Sequence, residues 1–80
     1  MAKDWKEILI DNGFTLYEKC NCHGAYTEKY VDADKVFQVH AVPSRRLFNL
    51  RKNGFFLKKA FLYNLKQTLI DYGIYIKDFK

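Results

Sequence analysis

From Lys35 to Ile70 the chain carries eight Lys or Arg residues and no Asp or Glu, whereas the first 34 residues hold four Lys against seven carboxylates. Cations without acidic neighbours in their own segment point to a basic side that faces water or a polyanion. The same segment holds Phe48, Phe55, Phe56, Phe61 and Tyr63. Localised positive charge beside aromatic rings suits a nucleic acid, because Lys and Arg release condensed counterions and rings stack on bases. A solvated face is the plainer alternative. The absence of acids, as well as the presence of bases, favours the polyanion.

Eighty residues make one domain, with a core expected over about residues 4–75. A hydrophobic content of 49% with seven Phe and six Tyr can build that core and excludes disorder. Cys20 and Cys22 lie too close for an easy bridge, so free thiols in a reducing, cytoplasmic setting are expected. Charges occupy the N-terminus where a signal peptide would be apolar, and no run is long enough to span a bilayer.

The order of elements follows from period and punctuation. Asp4 caps a first helix to Asn12, with Trp5, Ile8 and Leu9 on one face and Gly13 as its stop. Alternation predicts strands at 14–19, 25–31 and 35–42, separated by turns at 20–24 and 32–34, and Pro43 ends the third. Ser44 to Leu50 reads as a short helical turn and Asn53-Gly54 as a break. Leu57, Phe61, Leu65, Leu69 and Tyr72 then predict one long helix ending at Gly73, with a tail from Ile74 to Phe79. The expectation is an α+β fold, α-β-β-β-α, with a three-stranded antiparallel sheet and its helices on one face.

His23 falls in a turn beside Gly24, where an accessible imidazole can move a proton between a ribose hydroxyl and a leaving oxygen. Arg45 and Arg46 follow the rigid Pro43, and a guanidinium fork matches phosphate oxygens. Arg51 and Lys52 continue the cationic run, and Lys58 and Lys59 open the predicted long helix, where an anion is favoured. The C-x-C pair with His23 and His40 lacks the spacing of a zinc knuckle, so no metal or other cofactor is expected. His40 is expected to be a half-buried sheet histidine with a backbone partner.

The segments NGFTLYEKCNCHGAYTEKY, VHAVP and LKQTLIDYGI resemble the HicA-type mRNA interferase toxins, over roughly residues 4 to 75. In that family a helix ends in Gly-Phe, and a catalytic histidine follows ten residues after the glycine, with an aromatic three residues on. Gly13-Phe14, His23 and Tyr26 stand at those places here. Asn21-Cys22 replaces the Gly-Ser before the histidine, Ser44-Arg45-Arg46 replaces the histidine after Val-Pro, and residues 44–56 are a longer segment than usual. The resemblance implies a double-stranded-RNA-binding-domain-like fold and metal-independent RNA cleavage with His23 as general acid and base. It also implies a protein antitoxin, or another acidic partner, over the basic face. The alternative is a non-catalytic RNA- or protein-binding module of the same fold, such as a phage or mobile-element accessory protein.

Overall fold

The computed structural model describes residues 4–22 and 24–75, with Cys22 described by its backbone alone. The sheet has five strands, not three. They run as an antiparallel meander, β1 (Thr15–Cys22), β2 (Ala25–Val31), β3 (Phe37–Val42), β4 (Leu47–Lys52) and β5 (Phe55–Phe61), in that spatial order. Helices α1 (Trp5–Asp11) and α2 (Leu65–Asp71) bury their apolar sides against one face of it. The double-stranded-RNA-binding-domain-like arrangement is therefore replaced by a larger sheet.

The first helix forms as its residues predict. Asp4 has extended backbone, and its Oδ1 accepts from Trp5 N–H at 2.8 Å, satisfying a donor that the first turn leaves open. Gly13, at φ +86°, reverses the chain so that Phe14 N–H donates to Leu9 C=O at 2.9 Å. That reversal drops Phe14 into the core beside Leu9. The Trp5 ring meets Tyr30 edge-on at 5.9 Å between centroids, which docks α1 on β2. Between β2 and β3, Asp32 Oδ1 accepts from Val36 N–H and Phe37 N–H, making the expected turn.

The second half departs most from its sequence reading. Only Pro43–Arg45 is helical, as a 3₁₀ turn, and the chain then enters β4 instead of continuing as a helix to Leu50. Asn53 and Gly54 have φ of +51° and +85°, and Lys52 pairs with Phe55 across them. Two positive-φ residues between paired strands form the mirror-image turn that matches sheet twist, so Asn53-Gly54 is a hairpin. The long helix expected from Leu57 is thus a strand to Phe61, a 3₁₀ turn at Leu62–Asn64, and only then α2. Leu65 and Leu69 are core residues as expected, but Phe61 is exposed. Ile74 and Tyr75 pack on the core, and the rest of the predicted tail lies outside the described residues.

β1 also runs further than expected, through Cys20 to Cys22, and Cys20 is disulfide-bonded where free thiols were expected. No helix among the described residues is long and apolar enough to cross a membrane.

Among the described residues the helix-bearing face holds one buried charge. Glu28, 4% exposed, accepts from Tyr26 Oη at 2.7 Å and Tyr30 Oη at 2.9 Å, and Lys6 Nζ lies 3.7 Å away. Burial pushes its carboxyl up, but the two hydroxyl hydrogen bonds and the charges of Lys6 and Lys19 outweigh it and hold the group below the ordinary glutamate range. A carboxylate depressed in the folded state contributes stability above its unfolded value and loses it as pH falls through the folded one. Glu28→Gln should therefore melt below the wild type at neutral pH, and the gap should close as pH drops below 4.5. A gap independent of pH in thermal melts would show that the Glu28 charge is not held by this cluster.

Candidate nucleic-acid interface

No helix among the described residues covers the face opposite α1 and α2, and register decides which side chains stand on it. Glu18 pairs with Lys29, Lys29 with His40, His40 with Asn49 and Asn49 with Lys59, a row across all five strands. A second row joins Gln38, Arg51 and Phe56, and a third joins Val42, Leu47 and Phe61. Because cross-strand partners share a face, all of these point away from the helices.

A bulge sets the composition of this face. Leu50 pairs with Lys58, but Arg51 pairs with Phe56, so β5 carries one extra residue, Leu57, opposite β4. Strict alternation from Phe61 and Lys59 would have put Leu57 on the open face and Phe56 on the helix side. The extra residue reverses this: Leu57 packs against the core, and Phe56 stands beside Arg51. Phe56 and Phe61 are 56% and 48% exposed, and the Tyr63 ring stacks on Phe61 at 5.5 Å and 11°. Exposed rings of this size are costly to leave in water and suit a partner with flat apolar faces.

Cations surround the rings. Arg45, at the end of the 3₁₀ turn, reaches a cavity of about 470 Å³ that is also lined by Glu18, Thr27, Lys29 and Val42. Lys29, Arg51 and Lys59 stand on this face with it, and the Glu18 carboxylate there lies 3.3 Å from Lys29. Arg51 Nη1 donates weakly to Gly54 C=O at 3.4 Å, while its Nε has no partner.

The residues singled out from sequence are divided by the sheet. Arg45, Arg51 and Lys59 fall on the open face. Lys58 pairs with the buried Leu50, and Lys52 lies over the Phe37 ring at 5.5 Å, which puts both on the helix-bearing side. Neither Lys58 nor Lys59 opens a helix, since both belong to β5. Arg46, exposed at φ +57°, caps the 3₁₀ turn, and its C=O accepts from Leu62 N–H at 2.8 Å. His23 lies outside the described residues.

Lys29 was missed because it sits in the acid-rich half of the chain. Alternation could have found it: Tyr26, Glu28 and Tyr30 face the helices, so Thr27 and Lys29 must face away. His40 is half-buried, but its Nε2 has no hydrogen-bond partner, against the expectation of a paired sheet histidine. Burial first, then the charges of Lys29 and Arg51, hold its imidazole below the ordinary value, with Glu18 opposing. Among the described residues no three of His, Cys, Asp and Glu gather where they could hold a metal ion. Comparison with protein-family models, curated proteins and solved structures found no match to this chain.

Proposed function

We propose that this chain binds single-stranded RNA across the open face of its sheet. The observation that carries the reading is the meeting of Phe56 and Phe61 with Lys29, Arg45, Arg51 and Lys59 on a face that no described element covers. Unpaired bases expose flat faces that stack on aromatic rings, and a duplex hides them, so this surface favours a single strand over A-form shape. Phe56 and Phe61 face Arg51 and Leu47, four residues apart on β4, so they stand roughly 13 Å apart at about 3.3 Å per residue. That is too far for stacking on neighbouring bases, so the strand runs along β5 with its phosphates near Lys59, between the two rings, and Arg51, beside Phe56.

Cleavage is the second reading, and it rests on His23 at the tenth position after Gly13, the place of the catalytic histidine in the toxins that the sequence resembles. An imidazole there would take the 2′-hydroxyl proton and return one to the leaving oxygen, with a nearby cation steadying the developing charge.

One gel separates the two. Labelled single-stranded and duplex RNA are incubated in EDTA with the wild type and with His23→Ala. Binding of the single strand by both proteins is expected, weakening steeply with salt at a log–log slope of about 0.7 per phosphate contact, near 3 for four cations. Cleavage by the wild type alone would add a metal-independent ribonuclease centred on His23. Uncut RNA in both lanes leaves a binding module. A flat salt response, or a preference for duplex, would overturn the single-strand reading.

A further inference from the structure

Two side-chain nitrogens on the open face are closed to water and unpaired: His40 Nε2 and Arg51 Nε. They belong together. His40 pairs with Asn49 and Gln38 pairs with Arg51, so His40 and Arg51 are diagonal neighbours on adjacent strands of one face. Buried polar atoms are nearly always paired, and two neighbouring exceptions on an otherwise well-bonded sheet ask for a ligand. Arg51 Nε carries a hydrogen and can only donate, so that ligand must offer an acceptor.

The surroundings specify an anion. Facing His40 are Lys29 and, through it, Glu18 on β1 and β2; Asn49 and Arg51 on β4; and Lys59 beyond Asn49 on β5. Gln38 is its neighbour on its own strand. Glu18, the one carboxylate in the set, is engaged by Lys29. With no anion present, burial and the neighbouring cations disfavour the charged form of His40 and hold it below its ordinary value. An anion seated among them removes that penalty and makes the imidazolium the favoured form. Lys29 and Lys59 have long flexible side chains, and turning outward to meet a strand would open the spot beneath them.

We propose that one phosphodiester of the bound strand seats between His40 and Arg51, accepting from Arg51 Nε and from His40 Nε2, and that His40 takes a proton from solvent as it does so. This rests on the RNA-binding reading of the face, and it adds a consequence that stacking and simple charge do not have. Affinity becomes linked to pH through a single imidazole.

The test is fluorescence anisotropy with a labelled oligouridylate, whose bases do not titrate near neutrality, from about pH 8 to about pH 5 at fixed salt. The wild type should tighten by up to about tenfold per pH unit across the window below the ordinary histidine value. His23→Gln, which removes the other histidine of the chain, should keep that slope. His40→Gln should bind with a flat profile. A wild type that binds without pH dependence, or a His40→Gln variant that retains the slope, would overturn the phosphate seat and leave the RNA-binding face standing. No binding at any pH in low salt would remove both. If His40→Gln does not fold, the His40 ring protons of the wild type are followed by NMR with and without the oligouridylate. Their titration midpoint should rise on binding, and an unmoved midpoint overturns the inference.

Discussion

Phe48→Ala should cost about 3–5 kcal/mol of folding stability, the usual range for emptying a buried phenylalanine site. Phe48 is 0% exposed, lies on β4 between Ala41 and Ala60, and belongs to the cluster that includes Leu9, Phe14, Leu50, Leu65 and Leu69. Its two cross-strand neighbours are alanines, which have nothing to extend into the space left behind. A domain of this size has a total stability on the order of 4–12 kcal/mol, so the variant loses a large share of it. The melting temperature should fall by at least about 12 °C, at about 4 °C or more per kcal/mol. Phe55→Ala is the control. Phe55 is 74% exposed, at the tip of the same hairpin, and should change stability by under about 0.5 kcal/mol. A loss below about 1 kcal/mol at Phe48, measured by chemical denaturation, would mean that β4 is not the strand that closes this core.

The second large effect concerns binding. Replacing Phe56 and Phe61 together by alanine should nearly abolish capture of single-stranded RNA while leaving the melting curve close to wild type. Each base–ring stack contributes about 1–3 kcal/mol, so each ring should be worth about fivefold to 150-fold in affinity. Stability should hold because both rings are largely exposed and lie on the face away from the core. Lys52→Ala and Lys58→Ala serve as the comparison, since they remove charge from the helix-bearing side. They should weaken binding far less than Lys59→Ala, one residue further along β5. Equal losses from Lys58→Ala and Lys59→Ala in a filter-binding assay would show that net charge, not this face, holds the RNA.

Much of the first half was legible because its signals are local. Asp4 as cap, Gly13 as stop and the Asp32 turn each act through backbone groups a few residues away. Strand β3 was readable up to Pro43, whose ring has no N–H for a ladder. The hairpin turn at Asn53-Gly54 is equally local, but as a break in the chain it does not by itself say that strands flank it. Once residues 44–50 read as helix, the turn had no strand to reverse.

The candidate face was less legible. Arg45, Arg51 and Lys59 could be picked out as cations, yet nothing in their spacing separates them from Lys52 and Lys58. Lys29 was hidden by its acidic surroundings. His40 could be placed on a strand, but its missing partner depends on which groups the neighbouring strands bring up to it.

The sequence by itself determined that the chain folds as one small α+β unit with a capped first helix, and that its excess positive charge comes from a single aromatic-rich segment. Only the tertiary structure decided what that segment becomes. Leu57, Phe61, Leu65 and Leu69 repeat every four residues, which suits a helix, and the same stretch is rich enough in Phe and Leu to serve as a strand. β4 offers an unpaired row of N–H and C=O groups, and pairing with 55–61 satisfies it. That cross-strand ladder overrides the helical period, and its bulge then puts Phe56 beside Arg51. A face that depends on pairing between strands is written in contacts, and no local pattern carries it.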